Sequence, residues 1–315
     1  TSTPSNAATL QVETVTVVVS SQPSDATVDE SQTATFTTLG GVTMAPVGGN
    51  AASSSFEVDQ FDTPSGGGGA EASGQSSHTP GVTYQWEKSD DGGGSWNPVA
   101  GGTSASYTTG ATTYADDHND QYRCVISAVG AAADATTNAV ALGVYRTFSI
   151  TAQPSNATAN EGATANFAVT ASTSSGSPTY QWERSDDGGA NYSPITGATS
   201  ATYTTPTLVF ANDNLDRYRA VVSLVGSQAS LTSSHGELTV LRVISISTQP
   251  NSTAVIEGNT ATFTVVASIT SGSLSYQWQK STNSGANWVN INGANAASYV
   301  TPATVYPTTP AEQFR

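Results

Sequence analysis

The residue types able to do chemistry are few in this chain, and their spacing favours no reaction. Histidine occurs only as His78, His118 and His235, and the single cysteine is Cys124. None of the histidines stands at a regular distance from Cys124 or from another histidine, as a zinc site or an activated thiol would require. Cys124 lies in an alternating apolar segment, which is typical of a small buried side chain. The sequence therefore predicts no catalytic residue and no cofactor.

Clustered acidic residues are the best candidates for a ligand site. Asp116, Asp117 and Asp120 crowd one segment and could offer carboxylate oxygens to Ca²⁺. Two further pairs, Asp90-Asp91 and Asp186-Asp187, are each followed by glycine. Aspartate before glycine also serves a tight turn without any metal. A calcium site, with the Asp116–Asp120 cluster favoured over the hairpins, and turns that are purely structural are the two interpretations.

Composition limits the partners. Among 315 residues, 24 are acidic and 9 are basic, and the only lysines are Lys88 and Lys280. Binding to nucleic acid or to an anionic membrane needs clustered basic residues, so neither partner is expected. No apolar run approaches the roughly 18 to 20 residues that span a bilayer, which argues against membrane insertion. Abundant threonine and glycine with many β-branched residues predict an all-β protein.

An internal repeat of 96 residues organises the chain and must position these side chains. The segments TYQWEKSDDGG, TYQWERSDDGG and SYQWQKSTNSG place Trp86, Trp182 and Trp278 at equal intervals of 96. Pro23 and Pro154, near the starts of the first two repeats, are 131 residues apart, so repeat 1 carries 35 extra residues. Alternation at period 2, with turn residues about every 8 to 12 positions, predicts about seven short strands per repeat, as in a β-sandwich.

The repeat divides the chain into four segments. These are residues 1–13, a last strand of a preceding or partner repeat; 14–145, repeat 1 with its insertion at about 38–80 between strands two and three; 146–241, repeat 2; and 242–315, repeat 3. The last four residues align with Asp216–Arg219, so we expect repeat 3 to lack most of strand six and all of strand seven. A window from a longer array is the favoured explanation, and strand donation between neighbouring copies is the other.

The repeated motifs YQW, SDDGG, GATSATYTTP and D-x-Y-R-x-V-x-S resemble those of tandem immunoglobulin-like (Ig-like) β-sandwiches in large bacterial surface proteins and tailed-phage virion proteins. The resemblance implies that Trp86, Trp182 and Trp278 are core residues. It also implies that Tyr122 and Tyr218 are corner tyrosines, whose hydroxyls bond to the backbone of the preceding loop. The cystine of antibody domains is absent, and aromatic packing is expected in its place.

The insertion in repeat 1 has no counterpart in the other repeats. It contains apolar residues that could contact a neighbour, namely Met44, Phe56, Val58 and Phe61. A simple excursion closed by the glycine run at 66–69 is the alternative, because long surface loops cost little free energy. An extra strand formed by the segment SFEVDQF lies between these two interpretations.

Together the repeats and the resemblance predict a non-catalytic structural or adhesive protein, a rod or fibre outside the cell, on a virion or a bacterial surface. One alternative is a carbohydrate- or receptor-binding module that acts through the loops and the insertion. Another is an accessory region of a larger extracellular enzyme. The expected partners are other virion or surface proteins, neighbouring copies joined by strand donation, or a host-surface glycan.

Overall fold

The structure is a computed structural model that describes residues 12–46, 55–56, 81–306 and 311–315. Nearly all regular structure in these residues is β, and the two helices are single turns, α1 (Tyr114–Asp117) and α2 (Phe210–Asp213). The expected all-β, Ig-like fold is confirmed. The chain forms two compact units, the first comprising Thr1–Phe148, Thr173–Ser177 and Leu224–Ala229 and the second comprising the remainder.

Repeat 1 forms a sandwich whose larger sheet has the order β2-β11-β9-β6-β7, with β2 and β11 parallel. Smaller sheets are formed by β1-β4-β5 and by β3-β8, and β10 pairs with β9. The strands are β1 (Glu13–Ser21), β2 (Ala26–Asp29), β3 (Thr35–Thr37), β4 (Leu39–Pro46), β5 (Ser55–Phe56), β6 (Val82–Ser89), β7 (Asn97–Pro98), β8 (Ser106–Thr108), β9 (Gln121–Ala128), β10 (Ala135–Thr136) and β11 (Val140–Tyr145).

Repeat 2 follows the same order, β13-β21-β19-β16-β17, with the smaller pairs β12-β15 and β14-β18 and with β20 beside β19. The parallel pair is now β13 and β21. The strands are β12 (Phe148–Ala152), β13 (Ala157–Asn160), β14 (Asn166–Ala168), β15 (Thr170–Thr173), β16 (Thr179–Ser185), β17 (Ser193–Pro194), β18 (Thr202–Thr204), β19 (Arg217–Ser223), β20 (Leu231–Thr232) and β21 (Gly236–Leu241).

Repeat 3 keeps part of this pattern. Its strands pair as β26-β25-β28, β22-β24 and β23-β27. They are β22 (Ile244–Thr248), β23 (Thr262–Thr264), β24 (Val266–Ile269), β25 (Gln279–Ser281), β26 (Val289–Asn290), β27 (Ser298–Val300) and β28 (Gln313–Phe314). Lys280 pairs with Phe314, as Arg184 pairs with Tyr218 in repeat 2, so β28 starts strand six in the expected register.

An aromatic cluster fills each core because alternate residues of facing strands point inward. In repeat 1, Phe36 of β3 stacks on Tyr122 of β9, with ring centroids 4.6 Å apart, and packs beside Trp86 of β6. The indole N–H of Trp86 donates to the Ser104 carbonyl at 2.9 Å, which satisfies its one polar atom in the dry core. The core thus needs no disulfide, and Cys124, fully buried opposite Trp86, fills space.

Candidate functional site

The acidic segment before strand six binds a lysine from a neighbouring strand. Lys88 of β6 places its ammonium 3.1 Å from Asp117 Oδ1 and 2.5 Å from Asp120 Oδ2. Asp116, the third calcium candidate, accepts a hydrogen bond from the Thr113 hydroxyl at the start of α1. Burial opposes the charge on Lys88, but hydrogen bonds to Asp120 and Asp117 outweigh it and raise the pKa of the ammonium. The oxygens that could face a calcium ion therefore face a side-chain cation.

Repeat 2 has the same arrangement with a different cation. Arg184 lies 2.6 Å from Asp216 Oδ2 and 3.5 Å from Asp213 Oδ1. In repeat 3 Lys280 pairs with Glu312. Within the described residues, no group of three or more histidine, cysteine, aspartate or glutamate side chains gathers as a metal site would require. The acidic segments thus serve as anchors for the strand that carries the core tryptophan.

The hairpin aspartates are used by their own turns. Asp91 accepts hydrogen bonds from the Ser89 hydroxyl at 2.7 Å and from both the amide and the hydroxyl of Ser95. Asp187 repeats this pattern, and in repeat 3 Asn283 accepts from the Ser281 hydroxyl at 3.0 Å. Hydrogen bonds, those of Ser95 first, hold the pKa of Asp91 well below its usual range. A side-chain oxygen, charged or neutral, is what this turn requires.

In the part of the chain that the structure describes, the cysteine and two of the histidines occupy structural or exposed positions. Cys124 is fully buried, and burial raises the pKa of its thiol to about 11, so the reactive thiolate is not populated near neutral pH. His118 accepts a hydrogen bond from the Val144 amide at 3.1 Å and stacks on Tyr114, while His235 is exposed. His78 lies outside the described residues.

The core tryptophans are buried as the resemblance implied: Trp86 and Trp182 are fully buried and Trp278 is 2 % exposed. The corner geometry differs from the expectation. The Tyr218 hydroxyl donates to the Asp216 carboxylate at 3.4 Å, not to a loop carbonyl, because the ionised Asp216 two residues earlier is a stronger acceptor. Burial raises the pKa of Tyr122 to about 12. These tyrosines act through their rings, which stack on the core phenylalanines.

The aromatic residue after each hairpin turn is covered by an arginine. The Arg123 guanidinium lies 4.2 Å from the ring centroid of Trp96 and pairs with Glu87 at 2.8 Å. Arg219 lies over Tyr192 in the same way, and Arg315 covers the corresponding ring in repeat 3. These cation–π pairs account for aromatic residues that would otherwise suggest a platform for sugars.

The four apolar candidates in the insertion are only partly described. Met44 is half-buried in β4 and pairs with Val15, while the backbone of Phe56 in β5 pairs with Val42. Val58 and Phe61 lie outside the described residues. The residues Ser55–Phe56 thus continue the sheet β1-β4-β5 as a third strand, in the manner of the extra-strand interpretation.

A polar contact joins repeat 1 to the loop between β15 and β16 of repeat 2, inside the first compact unit. The Glu30 carboxylate accepts hydrogen bonds from the Ser174 hydroxyl at 2.6 Å and from the Ser175 hydroxyl at 2.7 Å and 2.9 Å. It also accepts from the Tyr114 amide at 3.1 Å. The Arg146 guanidinium lies over the Tyr114 ring, 4.3 Å from its centroid, and its Nε donates to Ser175. We call this set of contacts a junction clamp.

The second compact unit contains a second junction clamp, between repeats 2 and 3. Glu161 accepts from the Thr270 hydroxyl at 2.6 Å, from the Ser271 hydroxyl at 2.7 Å and from the Phe210 amide at 3.0 Å. Arg242 lies over the Phe210 ring at 3.8 Å. Hydrogen bonds from Thr270 and then Ser271 lower the pKa of Glu161, because they stabilise its charged form. Hydrogen bonds led by that of Ser174 do the same for Glu30.

Glycine is required in both clamps. Gly176 follows the two serines of the β15–β16 loop with φ of 75°, and a Cβ there would lie 3.2 Å from Arg146 Nη1. Gly272 has φ of 88° and the same proximity to Arg242. Sequence reasoning missed these clamps. The available signal was an arginine at the start of repeats 2 and 3 in a chain with few basic residues.

Three repeats of antiparallel β-sheet with aromatic cores define a tandem array of Ig-like domains. The chain belongs to the family described as a domain of unknown function, DUF8696, whose model matches residues 66–146, 149–242 and 245–315. No curated protein matches the sequence. No helix among the described residues is long and apolar enough to cross a membrane.

Solved structures similar to this chain are other arrays of Ig domains. A three-domain fragment of titin, I67–I69 in an E-to-A variant, is 12% identical with a TM-score of 0.41, over 92% of this chain and 89% of that one. Drosophila OTK extracellular domains 3–5 are 13% identical with a TM-score of 0.31, over 95% of each chain. Sidekick-1 immunoglobulin domains 1–5 are 12% identical with a TM-score of 0.39; the match covers 94% of this chain, which spans 54% of that structure.

Proposed function

We propose that this chain is a non-catalytic structural or adhesive spacer outside the cell, a rod of Ig-like repeats on a virion or a bacterial surface. The observation that carries the proposal is the junction clamp, built twice from the same chemistry. Domains in one chain reorient by default unless their interface resists it. A carboxylate with several donors and an arginine on an aromatic ring supply such resistance in a small area.

The placement of the charged residues supports a mechanical role. Lys88 and Arg184 anchor the tryptophan strands, Arg123 and Arg219 cover aromatic rings, and Arg146 helps to form the first clamp. Each of these cations is engaged in a contact that a scaffold uses. We infer that the few basic residues of this acidic chain are placed for rigidity, and that its partners are other surface or virion proteins.

The test measures the freedom of repeat 3 relative to repeat 2. Two exposed residues are replaced by cysteine, Thr199→Cys and Asn295→Cys, in a Cys124→Ala background, and each cysteine carries a spin label. Double electron–electron resonance then gives the distribution of distances between the two labels. Glu161→Ala should broaden this distribution clearly, because it removes both hydroxyl contacts of the clamp. The matched control is Glu257→Ala, which removes the equivalent contact to the Tyr306 amide at 3.2 Å but none of the hydroxyl contacts that Glu161 makes.

Two results would contradict the spacer. One is an equally narrow distribution in the Glu161→Ala variant. The other is a distribution that is already broad in the unmodified chain, which would describe repeats on a free linker. Equal broadening by Glu161→Ala and Glu257→Ala would assign the effect to the repeats themselves.

A binding function for the insertion is the second candidate, and the long strands at its start favour this role. β1 and β4 span nine and eight residues, against five and four for the equivalent β12 and β15. The longer pair gives the insertion a rigid base from which loop residues could contact a receptor or a host-surface glycan. Deletion of residues 47–80 should abolish binding to a glycan array or to cells. Unchanged binding would refute this role.

A further inference from the structure

Repeat 2 contains a cavity beside the ion pair of Arg184, within the second compact unit. The cavity encloses about 240 Å³, which is less than the roughly 300 to 1,000 Å³ of pockets that hold drug-sized ligands. It therefore has room for one small molecule. Its walls come from β16, β18, β19, α2 and the segment that follows β18. The residues that line it include Arg184, Ile195, Tyr203, Pro206, Thr207 and Asp213.

The Arg184 guanidinium has donors that its contacts in the fold do not use. Its Nε lies beside the Asp216 carboxylate, and its Nη2 donates to the Asn212 carbonyl at 2.9 Å. Neither contact involves Nη1, and 37 % of the side chain is exposed. Repeat 1 has Lys88 at this position, and two aspartates share its ammonium. Because a guanidinium carries five N–H groups and an ammonium three, arginine can form the ion pair and still keep donors for a ligand.

Asp213 places an acceptor next to these donors. Its Oδ2 accepts the Val209 amide at 2.7 Å, whereas its Oδ1 lies 3.5 Å from Arg184 Nη2, beyond the usual hydrogen-bond distance. In repeat 1 the equivalent oxygen, Asp117 Oδ1, is 3.1 Å from the Lys88 ammonium. Asp213 Oδ1 therefore keeps more of its capacity to accept a hydrogen bond from a ligand.

The Tyr203 hydroxyl is a third polar group in the same corner of the cavity. Burial raises the pKa of this hydroxyl, and the charges of Arg184, Asp213 and Asp216 also act on that pKa. The hydroxyl oxygen therefore lies near these groups. No hydrogen bond from a described residue contributes to its pKa, so the hydroxyl can donate to a ligand or accept from one.

Apolar surface and a second hydroxyl complete the cavity. Ile195 and Pro206 supply apolar wall, and the exposed Thr207 lies at the entrance. Repeats 1 and 3 have alanine at the position of Thr207, namely Ala111 and Ala303. Both of those repeats also have lysine in place of the arginine. Repeat 2 thus carries two polar lining residues that the same fold does without elsewhere in the chain.

We propose that this cavity binds one neutral sugar ring, either a free hexose or the terminal unit of a glycan. The charges exclude the other classes, because an anion would meet the carboxylates of Asp213 and Asp216 and a cation would meet the guanidinium. Adjacent hydroxyls of a sugar match the polar groups: one accepts from Arg184 Nη1 and the next donates to Asp213 Oδ1. The C–H groups of the ring would pack on Ile195 and Pro206. The site is separate from the insertion in repeat 1 and does not depend on the spacer function.

The probes are glucose, galactose and mannose, each titrated into the isotopically labelled full chain. The readout is a saturable change in the NMR chemical shifts of the Tyr203 and Thr207 amides and of the Arg184 Nε–H group. The equivalent amides of repeat 1, those of Tyr107 and Ala111, are internal references and should not shift. Single sugar rings have few atoms with which to bind, so we expect a Kd of roughly 1 to 10 mM for at least one of these hexoses.

Three variants test the named groups. Arg184→Lys introduces the cation of repeats 1 and 3 and removes the spare donors, so the Kd should rise at least tenfold. Thr207→Ala, which introduces the alanine of those repeats, and Tyr203→Phe should each raise the Kd about two- to tenfold. Hydrogen exchange of the β16 and β19 amides should stay unchanged in all three. The control Thr202→Ala alters an exposed residue of β18 that does not line the cavity, and it should leave the Kd unchanged.

The source of the sugar follows from one further probe, the methyl glycoside of the hexose that binds. Retained binding indicates the end of a glycan, because the glycosidic oxygen then points out of the cavity. Lost binding indicates a free hexose.

Three results would overturn the proposal. The first is the lack of a saturable shift with any of the three hexoses at concentrations about tenfold above the expected Kd range. The second is an unchanged Kd in Arg184→Lys, or an equal shift of the repeat 1 references, since either would place the contact elsewhere. The third is equal or tighter binding of glucosamine or glucuronic acid, which would show that charge selects the ligand.

Discussion

Removing the Lys88 charge should destabilise repeat 1 selectively. Its ammonium lies between Asp117 and Asp120, and the Asp120 side chain is only 5 % exposed. Breaking a buried pair from one side typically costs about 3 to 5 kcal/mol, because the remaining charge is buried without compensation. Lys88 itself keeps 30 % of its side chain exposed, so water offsets part of this penalty. We expect Lys88→Met to lower the free energy of unfolding of repeat 1 by about 2 to 4 kcal/mol.

The assay must resolve repeats, because a chain of several domains does not unfold in one step. Native-state hydrogen exchange of β6 and β9 amides reports on repeat 1, and β16 and β19 amides in the same sample report on repeat 2. Exchange in repeat 1 should quicken about 30- to 1,000-fold, since each 1.4 kcal/mol corresponds to a factor of ten. The control Lys88→Arg introduces the cation that repeat 2 has at Arg184 and should change exchange little.

The loss of stability caused by Lys88→Met should become smaller as the pH falls. Burial raises the pKa of Asp120, and the Lys88 ammonium opposes this rise. Without the ammonium the folded-state pKa of Asp120 rises further above its unfolded value of about 3.9. The folded variant then binds the proton better than the unfolded chain, so stability returns as pH falls through the folded pKa. The difference from the unmodified chain should shrink as the pH falls from neutral toward that unfolded value. A pH-independent penalty, or an equal loss in Lys88→Arg, would refute the buried-charge explanation.

Three further predictions follow from contacts that repeats share. Tyr218→Phe should cost less than about 1 kcal/mol, because Phe314 fills this position in repeat 3, whereas Tyr218→Ala should cost about 3 to 5 kcal/mol in denaturant unfolding of repeat 2. Asp91→Asn should preserve exchange protection of the hairpin amides, since Asn283 serves in repeat 3, and Asp91→Ala should lose it. Hydrogen bonding lowers the folded-state pKa of Glu161, so the second clamp is stabilised above the unfolded pKa of about 4.3. The clamp weakens as the pH falls through the folded-state pKa. The spin-label distance distribution should therefore be constant from pH 8 to 5 and broaden below about pH 4.

The cores were predictable because their signals are local and repeated. A tryptophan at intervals of 96, inside strands of period 2, must take the same place in each sandwich. Tyr122 and Tyr218 each follow the tryptophan of their repeat by 36 residues, and their stacking on the core phenylalanine follows from the same alternation. Constant spacing was therefore enough to predict the fold without any knowledge of long-range contacts.

The junction clamps were not predictable in this way. Glu30 and Ser174 are 144 residues apart, and neither a glutamate nor a serine indicates from its type which residue it will contact. Their contact depends on the orientation that successive repeats adopt, which no periodicity encodes. The acidic segment shows a related limit. Asp117 and Asp120 were visible as candidate ligands, but the cation they bind is Lys88, on a strand 29 residues earlier than Asp117.

The three repeats serve as internal substitution experiments, and they separate structural chemistry from catalytic chemistry. The cation beside the acidic segment is a lysine or an arginine, and the turn acceptor is an aspartate or an asparagine. The ring on the core phenylalanine is a tyrosine or a phenylalanine. A reacting group would need one particular atom with one particular pKa. These positions need only a charge, an oxygen or a ring, so the contacts they make serve the fold of each repeat.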